Sequence, residues 1–94
     1  MKRVYDDLLQ EELGKLSSEE IAESELKDAI ASRIDELMKK AGVSRTELAR
    51  RTGKRPSEVT RWLGGGHNFT CSTITLISRA LGTNIIRVTG RKHQ

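Results

Sequence analysis

Apolar residues recur at helical spacing in a series of short segments, each punctuated by Gly or Ser. Over about 4 to 14, Tyr5, Leu8, Leu9 and Leu13, with Leu16 just beyond, lie near one face, and Gly14 can end that helix. Ser17-Ser18-Glu19-Glu20 then reads as a capping box, in which the Ser17 oxygen accepts from a first-turn amide while Glu20 reaches back. Behind it Ile21, Leu26, Ala29, Ile30, Ile34, Leu37, Met38 and Ala41 recur mostly three, four or seven apart, up to Gly42 as the C-terminal cap. This stretch fits one helix of about 24 residues or two helices with a bend near Ser24.

From Gly42 the punctuation is denser. Ser44-Arg45-Thr46-Glu47 reads as a second capping box and opens a short helix carrying Leu48, Ala49 and Thr52 before Gly53. Pro56 fits the first position of another helix, where its missing N–H costs nothing and its ring biases Arg55 toward the extended backbone of an N-cap. That helix buries Val59, Trp62 and Leu63 and stops at Gly64-Gly65-Gly66. Thr70 caps a further helix whose inner face reads Ile74, Ile77, Ser78 and Leu81, ending at Gly82. Asn84-Ile85-Ile86-Arg87-Val88-Thr89 is rich in β-branched residues and bounded by Gly90, which predicts a short strand. A solitary strand in an otherwise all-α chain has no partner of its own, so it predicts pairing with another chain.

Composition narrows the class. The 94 residues suffice for one domain with one small core. Folding at this size buries only about 60 to 65 % of the unfolded surface, so dimerisation would help. The formal charge of +4 hides a split. Residues 1 to 40 carry seven basic and eleven acidic side chains, a local −4, whereas residues 41 to 94 carry ten basic side chains against Glu47 and Glu58 alone, a local +8. The basic part points to a polyanion as partner. No apolar run approaches the roughly 20 residues that span a bilayer. The N-terminus runs into Asp6 and Asp7 rather than an apolar stretch, so no signal peptide is expected. Cys71 is the one cysteine and cannot form an internal disulfide, so the expected compartment is the reducing cytoplasm.

The motif that carries chemistry is the pair of short helices joined by Gly53-Lys54-Arg55, a helix-turn-helix arrangement. Ala49 must be small where the second helix crosses, and Gly53 can take the positive φ of the turn. With Val59 and Trp62 buried, Ser57, Glu58, Thr60 and Arg61 point outward. An αα-hairpin with merely solvated polar residues is the bland alternative.

The run Ser44 to Gly53, then Val59, then Trp62-Leu63-Gly64-Gly65-Gly66, then Thr73 to Gly82, resembles the phage-repressor (Cro, xenobiotic-response-element) helix-turn-helix family. Within that family it is most similar to HigA-like antitoxins, which carry an acidic extension such as Ser18 to Ser24 and often end in a short strand like 84 to 89. The resemblance implies a compact helical bundle of the lambda-repressor-like type over 26–83, with an acidic N-terminal helical extension over 1–25 and a C-terminal strand and tail over 84–94. It also implies a homodimer that binds double-stranded operator DNA, represses its own operon and neutralises a ribonuclease toxin.

Carried over by position, the resemblance makes Pro56 to Arg61 the front of the recognition helix, with Ser57, Glu58, Thr60 and Arg61 at base edges. The chemistry agrees: Arg61 can pair bidentately with guanine, Glu58 can accept from cytosine N4, and Ser57 or Thr60 can serve several bases. Phosphate contacts are implied for Arg45 and Thr46 at the start of the second repressor helix and for His67, Asn68, Thr70 and Ser72 around the loop and start of the fourth. Arg50, Arg51 and Lys54 add charge to that surface. Two departures stand out. Arg55 occupies an N-cap where the family commonly has Ser or Thr, and it puts a cation at the positive end of a helix. A local rule broken in this way favours a phosphate or base contact by Arg55, with rigidification by Pro56 as the alternative. Pro56 itself replaces a hydrogen-bonding side chain, which shifts readout toward Ser57, Glu58 and Arg61.

His67 and Cys71, four apart, invite a metal or nucleophile reading, but a structural zinc needs four ligands and the only other histidine is His93. The Gly64-Gly65-Gly66 run lacks the Lys-Ser/Thr of a phosphate loop, so catalysis and cofactors are not expected. Trp62 reads as core rather than as an operator contact. Leu76 and Ala80, off the inner face of their helix, are candidate dimer or extension contacts. Two functional classes remain. In one, residues 1 to about 25 sequester a basic toxin through Asp6, Asp7, Glu11, Glu12, Glu19, Glu20 and Glu23; in the other, the chain is a free-standing or prophage repressor and the acidic helix only covers the core. Either way the acidic charge is expected to lie away from the operator surface.

Overall fold

A computed structural model describes residues 17–89 of the chain, so the helix expected over 4 to 14 lies outside the described residues. Four helices follow one another: α1 (Ser18–Ala41), α2 (Arg45–Thr52), α3 (Pro56–Leu63) and α4 (Cys71–Leu81). The capping box at the start of α1 is complete, with Ser17 N donating to Glu20 Oε1 at 2.8 Å and Glu20 N donating to Ser17 Oγ at 3.0 Å. Glu19 and Glu20 in the first turn and Lys39 and Lys40 in the last suit the helix dipole. The helix is uninterrupted through Ser24 for its 24 residues, a length of about 36 Å. It ends where Gly42 takes φ 67° and Val43 N donates to Met38 O at 2.9 Å.

The second capping box is only half formed. Ser44 Oγ accepts from Glu47 N at 3.0 Å, but the Glu47 carboxylate turns instead to Arg50 and Arg51 on the following turn. Two charged donors outcompete the single backbone amide it would otherwise reach.

Helices α1 and α2 each pack on both α3 and α4. Their shared core joins Ile30, Ile34, Leu37 and Met38 from α1, Leu48 and Ala49 from α2, Val59 and Trp62 from α3, and Ile77 from α4, with Val43 from a connection. Trp62 is a core residue, 3 % exposed. Ile74 and Leu81 pack against this cluster half-buried, and so does Ala80, which the pattern had placed off the inner face. On α1 the expected face is corrected at both ends: Ala29 and Ala41 are exposed, and Ala31 is buried. No residue from 18 to 29 is buried, because α1 runs past the end of the bundle. Ile21 and Leu26 are therefore 38 % and 58 % exposed.

The strand expected over 84–89 is not formed; among the described residues there is none. The segment folds back on α4 instead, with Ile85 N donating to Ser78 Oγ at 3.2 Å and the Ile85 side chain 3 % exposed in the core. A β-branched run with no neighbouring strand finds its stabilisation in the burial of one side chain rather than in a ladder.

Truncating Ile85 to Ala should therefore cost about 2 to 4 kcal/mol of unfolding free energy in a denaturant titration, as for other large-to-small core changes. Val88→Ala, three residues on but 72 % exposed, should stay within about 0.5 kcal/mol.

Candidate nucleic-acid interface

The turn between α2 and α3 is built as its residues require. Gly53 takes φ 71°, its N–H bonds to the Ala49 and Arg50 carbonyls, and Lys54 N donates to Ala49 O at 2.9 Å. Arg55 is the N-cap of α3 at φ −87°, ψ 150° and makes no side-chain cap hydrogen bond, while its carbonyl accepts from Glu58 N at 2.9 Å and Val59 N at 3.3 Å. Val59 and Trp62 turn inward, which leaves Ser57, Thr60 and Arg61 exposed and Glu58 half-buried. Among the described residues, Arg45, Lys54, Arg55 and Arg61 form no ion pair with a carboxylate.

Arg50 and Arg51 differ. Both bind the Glu47 carboxylate, Arg50 Nε at 3.1 Å and Arg51 Nε at 2.8 Å. Arg51 also donates to Ala80 O at 3.0 Å, tying α2 to the end of α4. The hydrogen bonds from Arg50 and then Arg51 hold the Glu47 carboxyl down at about 2, against an ordinary 4.5. The same pairing raises the Arg50 guanidinium above its usual value. These two arginines, expected to add charge to the DNA surface, share one carboxylate and together with it keep a net charge of +1.

The remaining predicted phosphate residues lie at two helix starts and one loop. Arg45 and Thr46 are exposed at the start of α2, and Arg45 Nη1 donates across to Thr60 Oγ1 of α3 at 3.4 Å. His67 packs edge-on against Phe69 with ring centroids 4.7 Å apart, and Asn68 is exposed beside it. Thr70 is occupied as the N-cap of α4: its hydroxyl oxygen accepts from Thr73 N at 3.2 Å and lies 3.1 Å from Ser72 Oγ. Of these residues, only Arg45 is joined to the base-reading set by a direct contact. Cys71 is exposed. Among the described residues no three His, Cys, Asp or Glu side chains come together as metal ligands.

Acidic charge lies closer to this loop than expected. Glu20, Glu23, Ser24 and Lys27 of α1 share a shallow groove with Gly66, which directly precedes His67. Asp28 and Asp35 share another with Arg45, Gly64 and Gly65. Gly65 adopts φ 83°, a left-handed backbone that favours glycine, and it lies close enough to α1 that a Cβ there would meet the Asp28 carboxylate at 2.9 Å and push it aside. The unbroken length of α1 is the reason: it carries its acidic half alongside the loop. Sequence reasoning missed this, since nothing in the residue pattern alone decided between one helix and two.

Two short helices joined by a glycine turn, the second buried on one face by Val59 and Trp62 and exposed on the other, form a helix-turn-helix. The profile of the Cro/C1-type HTH DNA-binding domain matches residues 33–86, more than half of the chain, and the protein belongs to that family. No match was found among curated proteins or solved structures. No described helix is long and apolar enough to cross a membrane.

The Glu47 pairing has a defined pH signature. A carboxyl held at about 2 in the folded chain, against 4.5 ordinarily, contributes stability that is fully present above pH 4.5 and is lost as pH falls toward 2. Denaturation midpoints measured from pH 7 down to 2 should decline less steeply for Glu47→Gln than for the wild type.

Proposed function

We propose that the protein is a sequence-specific transcription regulator that binds a palindromic operator as a homodimer, and that it is the antitoxin of a toxin-antitoxin pair, repressing its own operon and neutralising a basic ribonuclease toxin in the cytoplasm. The observation that carries the DNA half is the set of cations at the helix-turn-helix that form no ion pair among the described residues, Arg45, Lys54, Arg55 and Arg61. They flank the exposed Ser57 and Thr60 on a helix whose opposite face is buried. One such module reads only a few base pairs, so two copies on half-sites about one helical turn apart are needed for an operator. Ile86 and Val88, 42 % and 72 % exposed, offer apolar surface for association. The role is one of binding, with no catalytic step.

The protein-binding half rests on α1. Its first twelve residues contribute nothing to the core, expose Ile21 and Leu26, and carry Glu19, Glu20, Glu23, Glu25 and Asp28 against a single Lys27. An apolar and acidic helix projecting beyond its own bundle suits a basic partner better than it suits water.

Arg61→Ala should weaken operator binding by about 1 to 3 kcal/mol and relax preference at one base pair, whereas Lys54→Ala should weaken all sequences evenly and lower the salt slope by about one. Unchanged affinity and preference in Arg61→Ala would remove the recognition-helix assignment. Deleting residues 1–25, which removes Glu19, Glu20, Ile21, Glu23 and Glu25 but leaves the core residues from Ile30 onward, should abolish toxin neutralisation in a growth assay while operator binding survives. Persistence of neutralisation would remove the assignment to the extension, and the lack of a small basic reading frame beside the gene would leave a free-standing repressor.

A further inference from the structure

The one hydrogen bond that joins the two helices of the helix-turn-helix through exposed side chains runs from Arg45 Nη1 to Thr60 Oγ1 at 3.4 Å. A threonine hydroxyl has one proton to give and two lone pairs to offer. Inside a helix the proton commonly goes back to a carbonyl one turn earlier, as it does at Thr52, whose hydroxyl donates to Leu48 O at 2.8 Å and lies 3.1 Å from Ala49 O. Thr60 makes no such bond among the described residues. Its oxygen is engaged as an acceptor from the guanidinium, and its proton is left for whatever faces α3.

We propose that Arg45 and Thr60 form a single reading unit spanning α2 and α3, in which Arg45 fixes the Thr60 hydroxyl as a hydrogen-bond donor toward the major groove. This rests on the operator reading above and goes beyond it. The first helix of a helix-turn-helix ordinarily crosses the DNA backbone, and Arg45 so placed would be a phosphate contact blind to sequence. Here it is a positioning residue for a base contact. With one of its two lone pairs taken by Arg45, the Thr60 hydroxyl is biased toward donation, and so favours bases that present an acceptor in the major groove, namely guanine O6 or N7, adenine N7 and thymine O4, over cytosine, which presents the N4 amino donor. Arg45 is free for this duty because Glu47 engages Arg50 and Arg51 instead.

The test is selection from a randomised double-stranded DNA pool with the full chain, followed by titration of defined duplexes carrying each base pair at every selected position. Thr60→Val identifies the base pair that Thr60 reads. Arg45→Ala should then reduce discrimination against cytosine at that same base pair about two- to tenfold, the worth of one net hydrogen bond. Thr60→Ser should keep it, and the double variant Arg45→Ala/Thr60→Val should discriminate no worse than Thr60→Val alone. Arg45→Ala should leave the salt slope unchanged, as for a residue that neutralises no phosphate. If Arg45→Ala weakens every duplex by the same factor and leaves that preference intact, Arg45 is a phosphate contact and the reading unit does not exist. A wild-type chain with no base preference at any position would overturn the operator reading itself and the pair with it. All of these positions are exposed, and circular dichroism of each variant should match the wild type.

Discussion

The burial of Val59 and Trp62 is the constraint on which the rest depends. Helix α3 has eight residues, well below the roughly 12 to 15 at which an isolated helix becomes even marginal in water. Its N-cap has no side-chain acceptor, which forgoes about 1 kcal/mol, and a cation sits at its positive end, at a cost of about 0.3 to 1 kcal/mol. Against this, Val59 and Trp62 are 0 % and 3 % exposed, and full burial of even the smaller side chain contributes about 1.5 kcal/mol or more. Tertiary packing on α1 and α2 therefore holds the helix despite its poor start. Pro56 helps by fixing the backbone where a capping oxygen is missing. Because the same two residues set the rotation of α3 about its axis, they also decide that Ser57, Thr60 and Arg61 face outward.

A second constraint sorts the cations. Six arginines and lysines are concentrated between residues 45 and 61, and Glu47 divides them. By engaging Arg50 and Arg51 its single carboxylate offsets one of their two charges, leaving the trio at net +1, and through Arg51 and Ala80 O it ties α2 to α4. Arg45, Lys54, Arg55 and Arg61, on the turn and on α2 and α3, form no ion pair among the described residues. A sum over the sequence counts all six equally; only the partner of each one says which are free.

Much of the fold was legible in the residues because local rules and tertiary packing agree. The Ser17 box, Gly42, Gly53, Pro56, Thr70 and Gly82 mark helix ends that the structure keeps, and the 3.6-residue spacing found Ile30, Ile34, Leu37, Met38, Val59 and Trp62 in the core. Three features were not legible, each for a reason of context. The β-branched run at 84–89 satisfies strand propensity, but with no strand beside it among the described residues it docks Ile85 into the core. Ile21 and Leu26 share the apolar spacing of α1 yet lie beyond the bundle, and periodicity does not say where the neighbouring helices end. Glu47 stands where a capping box wants it, but the two arginines that follow compete for the same carboxylate. For the interface, residue types and positions were readable, while the Arg45–Thr60 contact needed the angle at which α2 crosses α3.

That α1 is one helix and not two changes how the charge split acts. With a bend near Ser24 the acidic residues could have swung clear of the DNA-binding face, and the local −4 and +8 would have described separate ends of the molecule. A rigid helix instead holds Glu20 and Glu23 across a groove from Gly66, next to His67 and Asn68. Acidic side chains so placed repel a polyanion that approaches this loop, and salt weakens the effect beyond about one Debye length, roughly 8 to 10 Å at moderate ionic strength. Acidic side chains thus face the 66–68 loop, whereas Lys54 and Arg55 at the α2–α3 turn form no ion pair among the described residues. Electrostatic steering of a polyanion is then toward the turn and the start of the recognition helix, the one part of the surface where hydrogen-bonding side chains stand ready to read bases.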